Sequence, residues 1–132
     1  MGDRANVVVK DQWNDERRVV LYTHWGGAGL PAILKAALER GKDQWDDDQY
    51  LARVIFCEML KNHGADCLEK TTGLGISAGV GDNEYPLLVV DCKAKTVHEA
   101  PEGDPNVASA GPWSFADYPG QWAKGDDSED EA

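Results

Sequence analysis

The sequence predicts a single α+β domain: an antiparallel or mixed sheet of about five strands in the order ββααβββ, with two helices packed on one face. Three observations carry this. Two β-branched runs stand close together near the start, two stretches with helical spacing of apolar residues follow, and strand-like runs separated by turn residues return after residue 73. At 132 residues the chain is one domain long and can bury about two-thirds of its unfolded surface, enough for a core without disulfide or metal staples. Residues 1–100 are expected to form the α+β core and 101–124 an aromatic segment docking on that core or on a partner. Residues 125–132 are expected to be a disordered acidic tail.

The first element is Asn6–Lys10 (NVVVK) and the second Arg18–Trp25 (RVVLYTHW). The polar, turn-rich DQWNDER between them makes the pair an antiparallel hairpin. In the second strand Val20, Tyr22 and His24 alternate with Val19, Leu21 and Thr23. Neither set is polar throughout, so the strand is expected inside the sheet, covered in part on both sides.

Gly26, Gly27 and Gly29 then supply three conformationally free positions within four residues, and Pro31 suits the first turn of a helix. That helix is predicted over about Pro31–Arg40, with Ile33, Leu34, Ala37 and Leu38 as its apolar stripe and Gly41 as its terminator. A second helix start lies in WDDDQY. With Asp46 as N-cap, Gln49 falls at N3 as in a capping box, and Trp45 and Tyr50 occupy the staple positions. Asp47 and Asp48 sit in the first turn, where the helix dipole favours acids. The helix is expected to extend to about Asn62. Leu51, Val54, Ile55, Cys57, Met59 and Leu60 cover enough of it to make it the central buried helix.

Beyond His63 and Gly64, a meander of three strands is expected from Gly73–Ala78, Tyr85–Cys92 and Thr96–Glu99, with Pro86 at the start of its strand, where a missing donor does no harm. Residues 101–111 read as a loop. Trp113, Phe115, Tyr118 and Trp122 follow it and are too many aromatics for a free tail. They are expected to dock on the body, or to join a second subunit in a homo-oligomer.

The formal net charge is −11, but Asp126–Ala132 holds five acids and no base, leaving 19 of the 24 acids against all 13 bases, a net of −6 for Met1–Gly125. Apart from Arg17 and Arg18 the bases are scattered, which argues against a grip on a nucleic-acid backbone by the body. A solvated acidic surface is the ordinary reading. An acidic decoy for another protein's nucleic-acid site is the alternative. Cys57, Cys67 and Cys92 form neither a CxxC pair nor an even framework, which fits a reducing, cytoplasmic setting. The N-terminus lacks a secretory h-region, and no apolar run approaches the length of about 18 residues needed to span a bilayer.

The turn THWGGAGLP joins a strand to a helix start through glycines, the general design in which backbone N–H groups and the helix dipole receive an anion. It is neither a Walker A loop nor GxGxxG. The plain alternative is that the glycines let the chain turn tightly under Trp25. His24 fits a hydrogen-bonding or base role there, and equally that of a satisfied core histidine. His63, Cys67, Cys92 and His98 are zinc-type ligands, but HxxxC and CxxxxxH match no closed zinc module, so neither metal nor other cofactor is expected. Cys57 and Cys92 read as buried structural cysteines. Ser77 lies in no GxSxG elbow, and the carboxylates at Asp46–Asp48, Asp82 and Glu84 are explained by capping and turns.

RANVVV, LYTHWGG, WDDDQYLARVIFCEML and GLGIS together resemble a group of short uncharacterised proteins of bacteria and their phages, over about Arg4–Asp91. The shared elements are the His24-Trp25-Gly26-Gly27 turn and the Trp45–Arg53 helix start. The resemblance implies a phage or mobile-element setting, where proteins of this size often block host defence, and no particular reaction. The leading expectation is therefore a non-enzymatic binding module. It takes a small anionic, nucleotide-like ligand at His24, Trp25, Gly26 and Gly27, with Asp48, Tyr50 and Arg53 brought near so that Arg53 pairs with a phosphate and Trp25 or Tyr50 stacks on a base. The rival is an acidic interaction protein that inhibits a host protein, and the third reading is an unrecognised hydrolase.

Overall fold

The structure is a computed structural model and describes residues 3–14, 16–61, 73–81 and 83–123. The predicted hairpin is present: β1 (Ala5–Lys10) and β2 (Arg18–Thr23) pair antiparallel with Val8 opposite Val20. Two helices follow, α1 (Leu30–Arg40) and α2 (Asp48–Leu60), separated by a short 3-10 turn at Lys42–Gln44. Four more strands complete the fold: β3 (Leu74–Ser77), β4 (Leu87–Asp91), β5 (Thr96–Ala100) and β6 (Ala110–Ser114). The predicted α+β class holds, with six strands in place of about five, in one mixed sheet of order β3-β2-β1-β4-β5-β6.

The expected meander does not form. β3 pairs antiparallel with the outer side of β2, whereas β4 runs parallel to β1 at the sheet centre and only β4 and β5 make a hairpin. Burial explains the exchange. Leu87, Leu88, Val89 and Val90 are fully buried and need cover on both faces, while β3 carries exposed Ile76 and Ser77 and tolerates an edge. As expected, β2 lies inside the sheet. The last two residues of the stretch read as loop, Ala110 and Gly111, join Pro112–Ser114 in β6, an edge strand pairing with β5 across an irregular register.

Both helices pack on one face, as predicted. Leu30, Leu34, Ala37, Leu38, Leu51, Ile55 and Met59 meet Val7, Val9, Leu21, Leu88, Val90 and Val97 of the sheet in one cluster. Among the described residues, loops rather than helices cover the opposite face, where Val8, Val20, Leu87, Val89 and Ala100 pack with Val80. Three polar side chains that strand alternation sends to this face hold the loops down. Asn6 accepts from Gly81 N and donates to Asn83, the Lys10 ammonium donates to Asn106, and His98 Nε2 bonds Pro105 O at 2.9 Å.

The helix ends correct three details. Gly41 does close α1, its N–H donating to Ala37 O at 2.8 Å, but at φ −93° rather than in a left-handed conformation. A Cβ there would be tight rather than excluded, 3.2 Å from Ala37 O and 3.4 Å from both Leu51 and Val54. The cap of α2 is Asp47, one residue later than expected, its carboxylate accepting from Tyr50 N. Gln49 therefore closes no capping box, and Trp45 and Tyr50 form no staple. Trp45 instead donates to Leu38 O and packs edge-on against Phe115. The aspartates take three separate tasks: Asp46 pairs with Lys95, Asp47 caps, and Asp48 accepts from Gln12 N. Finally, α2 ends at Leu60 and is buried along one side only, with Leu51, Ile55, Glu58 and Met59 inward and Cys57 exposed, against the expectation of a buried thiol.

The aromatic segment docks on its own chain. Phe115 and Tyr118 are buried and Trp113 and Trp122 half-buried against the helix-side core. Trp122 stacks on Tyr85 with ring centres 4.8 Å apart. Residues 125–132 lie outside the described residues. Among the described residues, no helix is long and apolar enough to cross a membrane.

Candidate functional site

Turns gather at both ends of the sheet. At one, β2 ends in the His24–Gly29 turn and β1 begins. At the other lie the β1–β2 turn, the β4–β5 turn and the start of α2.

At the first end the turn's donors are taken from within the chain. Thr23 Oγ1 accepts from Gly26 N at 3.0 Å. Asp3 then grips the turn: its N–H donates to His24 O, its carbonyl accepts from Gly27 N at 2.8 Å, and its carboxylate accepts from Ala28 N at 2.9 Å and from the Tyr85 hydroxyl. The Gly27 carbonyl accepts from Leu30 N and from the Trp122 indole. A Cβ on Gly27 would lie 2.6 Å from both Asp3 O and Tyr85 Cε1, so glycine is fixed here by close packing. The carboxylate that meets the turn is the chain's own, that of Asp3, which accepts from Ala28 N.

The predicted site residues are not brought together. His24 is half-buried, bonded through Nδ1 to the Tyr22 hydroxyl at 3.1 Å and edge-on to Trp25, which is 57% exposed. Tyr50 and Arg53 stand on the solvent side of α2 in its first two turns, where the Arg53 guanidinium lies 5.2 Å from the Tyr50 ring centre. The start of α2 faces the other end of β2: Gln12 N donates to Asp48, and Gln49 and Ala52 line a cleft together with Arg18 and Val19.

Of the zinc-type residues, Cys92 joins the helix-side cluster while His98 faces the loops; His63 and Cys67 lie outside the described residues. Burial, reinforced by the charges of Asp48, Asp91 and Asp11, pushes the Cys92 thiol up to about 12, so it stays protonated and inert. Ser77 Oγ accepts from Gly79 N in a surface turn, and Glu84 pairs with Arg4.

The second end holds a residue that the sequence reading passed over. Trp13 is 79% exposed, the most exposed of the large apolar side chains among the described residues. Its loop is built to hold it out. Asp11 Oδ1 accepts from Trp13 N at 2.6 Å and from Asn14 N, Asp11 Oδ2 pairs with Arg17 at 2.9 Å, and Asp11 N donates to Arg17 O. Arg17 N donates to Asn14 O, Glu16 N to the Asn14 side chain, and Gln12 N to Asp48 on α2. The Trp13 amide, followed by Arg17, holds the Asp11 carboxyl below the usual carboxylate range against the opposing effect of burial. Beside the indole runs a cleft of about 320 Å³ lined by Gln12, Cys92, Lys93 and Lys95. The signal was legible: a lone tryptophan within a seven-residue polar turn has no core to reach.

Comparison with protein-family models, with curated proteins and with solved structures finds no match to this chain.

Proposed function

We propose that the protein is an acidic interaction protein that docks on a partner protein through the end of the sheet carrying the β1–β2 turn, with Trp13 as its anchor. The observation that supports this is the 79% exposure of Trp13 on a loop closed by its own hydrogen bonds. An indole offers about 150–250 Å² for burial, and tryptophan is prominent among the few residues that dominate binding energy in protein interfaces. Hydrogen bonds from the backbone of Gln12, Trp13 and Asn14 already hold the anchor in place, which reduces the conformational freedom lost on binding. The net charge of −11 favours, at long range, a partner of net positive charge. The setting implied by the resemblance makes that partner a host protein.

A small anion at the His24–Gly29 turn, by contrast, has to displace Asp3, and it finds neither Tyr50 nor Arg53 there. The test is capture of a partner from host lysate by the wild type, Trp13→Ala and Trp25→Ala. Trp13→Ala is expected to lose the partner, at about 2 kcal/mol or more, while Trp25→Ala retains it. Undiminished capture by Trp13→Ala, or no partner for the wild type, refutes the reading.

A further inference from the structure

On the helix side of the β1–β2 turn, a second cleft of about 240 Å³ opens between β2 and the start of α2. Val9, Val19 and Ala52 make its apolar floor, and Asp11, Arg17, Asp48 and Gln49 stand around it. At roughly 30 Å³ per water the space holds about eight waters, room for a lysine stem and its ammonium with a few waters left. The cleft adjoins the docking surface: Gln12, the residue before Trp13, donates through its N–H to Asp48.

Strand register settles the charge of the lining. Lys10 pairs with Arg18 across the hairpin, and alternation sends both side chains to the loop-side face with Val8 and Val20. The Lys10 ammonium lies there with Asn106 and Asp91, so neither residue brings its charge into the cleft. Arg17 remains, and Asp11 neutralises it in the 2.9 Å pair. Asp48 is then the uncompensated charge. Its Oδ2 accepts from Gln12 N, and its Oδ1 has no partner among the described residues. An anion is repelled here, while a cation with an apolar body suits both the carboxylate and the floor. The single open oxygen decides between the two basic side chains. The arginine fork engages both oxygens of a carboxylate at once, whereas the lysine ammonium is a point charge that one oxygen satisfies, and its stem covers apolar surface on the way. The Gln49 amide, also without a partner among the described residues, offers a second acceptor.

We propose that this cleft takes a lysine side chain of the docking partner, its stem over Val9, Val19 and Ala52 and its ammonium on Asp48 Oδ1. The source of the lysine rests on the docking reading; the chemistry of the cleft does not. A basic residue in the partner's contact segment agrees with the long-range preference of a chain of net charge −11.

Nuclear magnetic resonance titration with N-acetyl-L-lysine N-methylamide, its uncharged Nε-acetyl derivative and N-acetyl-L-arginine N-methylamide tests it, read at the methyl signals of Val9, Val19 and Ala52. The lysine probe is expected to shift these methyls and to bind about tenfold tighter than the uncharged derivative, and tighter than the arginine probe. Asp48→Asn, which keeps an acceptor for Gln12 N, should remove that preference and weaken partner capture by a similar factor. Ala52→Leu, which fills the floor, should weaken the lysine probe, and Trp13→Ala should leave it unchanged; amide signals unmoved away from the cleft are the control for fold. Absence of shifts at these methyls, equal affinity for the lysine probe and either analogue, or a preference or a capture unaffected by Asp48→Asn overturns the proposal and leaves docking through Trp13 standing. Capture undiminished by Trp13→Ala, with the lysine probe behaving as expected, overturns docking and the source of the lysine, and leaves the chemistry of the cleft standing.

Discussion

Asp3→Ala tests whether the glycine turn is an anion site occupied by the protein itself. The substitution leaves the backbone bonds of residue 3 to His24 and Gly27 in place and removes only the carboxylate, so Ala28 N and the Tyr85 hydroxyl lose their acceptor. Hydrogen bonds to a charged group contribute about 1.5–3 kcal/mol each when well buried. Here Ala28 is exposed and Asp3 and Tyr85 half-buried, so water recovers part of both, and the expected loss is about 1–2 kcal/mol in total. For a domain of this size that lowers Tm by roughly 3–8 °C. The vacated turn, at the N-terminus of an 11-residue helix, should then take an anion from solution. With a dissociation constant of about 10 mM, about 100 mM phosphate returns roughly 1.4 kcal/mol. Thermal melts in phosphate and in chloride at matched ionic strength read the difference. An Asp3→Ala protein as stable as the wild type, or phosphate stabilising both equally, refutes the reasoning.

Gly27→Val should destabilise by at least about 1–3 kcal/mol in urea melts, because its first added carbon already meets the Asp3 carbonyl and the Tyr85 ring; stability equal to wild type counts against the packing account. At Glu58, burial would raise the pKa, but the hydrogen bonds and charges of Arg40 and Lys61 outweigh it and hold the carboxyl below its usual 4.5. A depressed folded value means stability present above the unfolded pKa and lost as pH falls through the folded one, so Glu58→Gln should cost stability at neutral pH and progressively less below 4.5. A deficit constant from neutral to acid pH contradicts this. In the native protein a thiol reagent should modify Cys57 quickly and Cys92 only after denaturation; mass spectrometry of the labelled peptides distinguishes the sites.

What was legible in the sequence was local. The hairpin, both helices and the β4–β5 pair rest on β-branched runs, helical spacing and turn residues, and each appeared within a few residues of its expected bounds. Three consecutive aspartates offer three equivalent caps, so the pattern alone does not choose Asp47. β6 was hidden because Gly111 and Pro112 argue against a strand, and only its edge position tolerates them. The place of β4 was hidden for a different reason: the apolar runs VVV and LLVV mark both strands as buried, but pairing between them is non-local and neither run names its partner. At the candidate site the turn's chemistry was readable, but its occupant, Asp3, is more than twenty residues earlier in the chain, and no periodicity links the two.

The parallel pairing of β1 with β4 also sets the order in which the chain can assemble. Val8 meets Val89, some 80 residues later, a separation that raises the entropic cost of closure and slows folding. During synthesis the hairpin, both helices and β3 emerge before the strand that fills the centre of the sheet. Until then β1 has one open edge, and Val7, Val8 and Val9 lack their neighbours. With only its first two-thirds made, the chain therefore presents an unpaired apolar strand edge, a feature that favours aggregation.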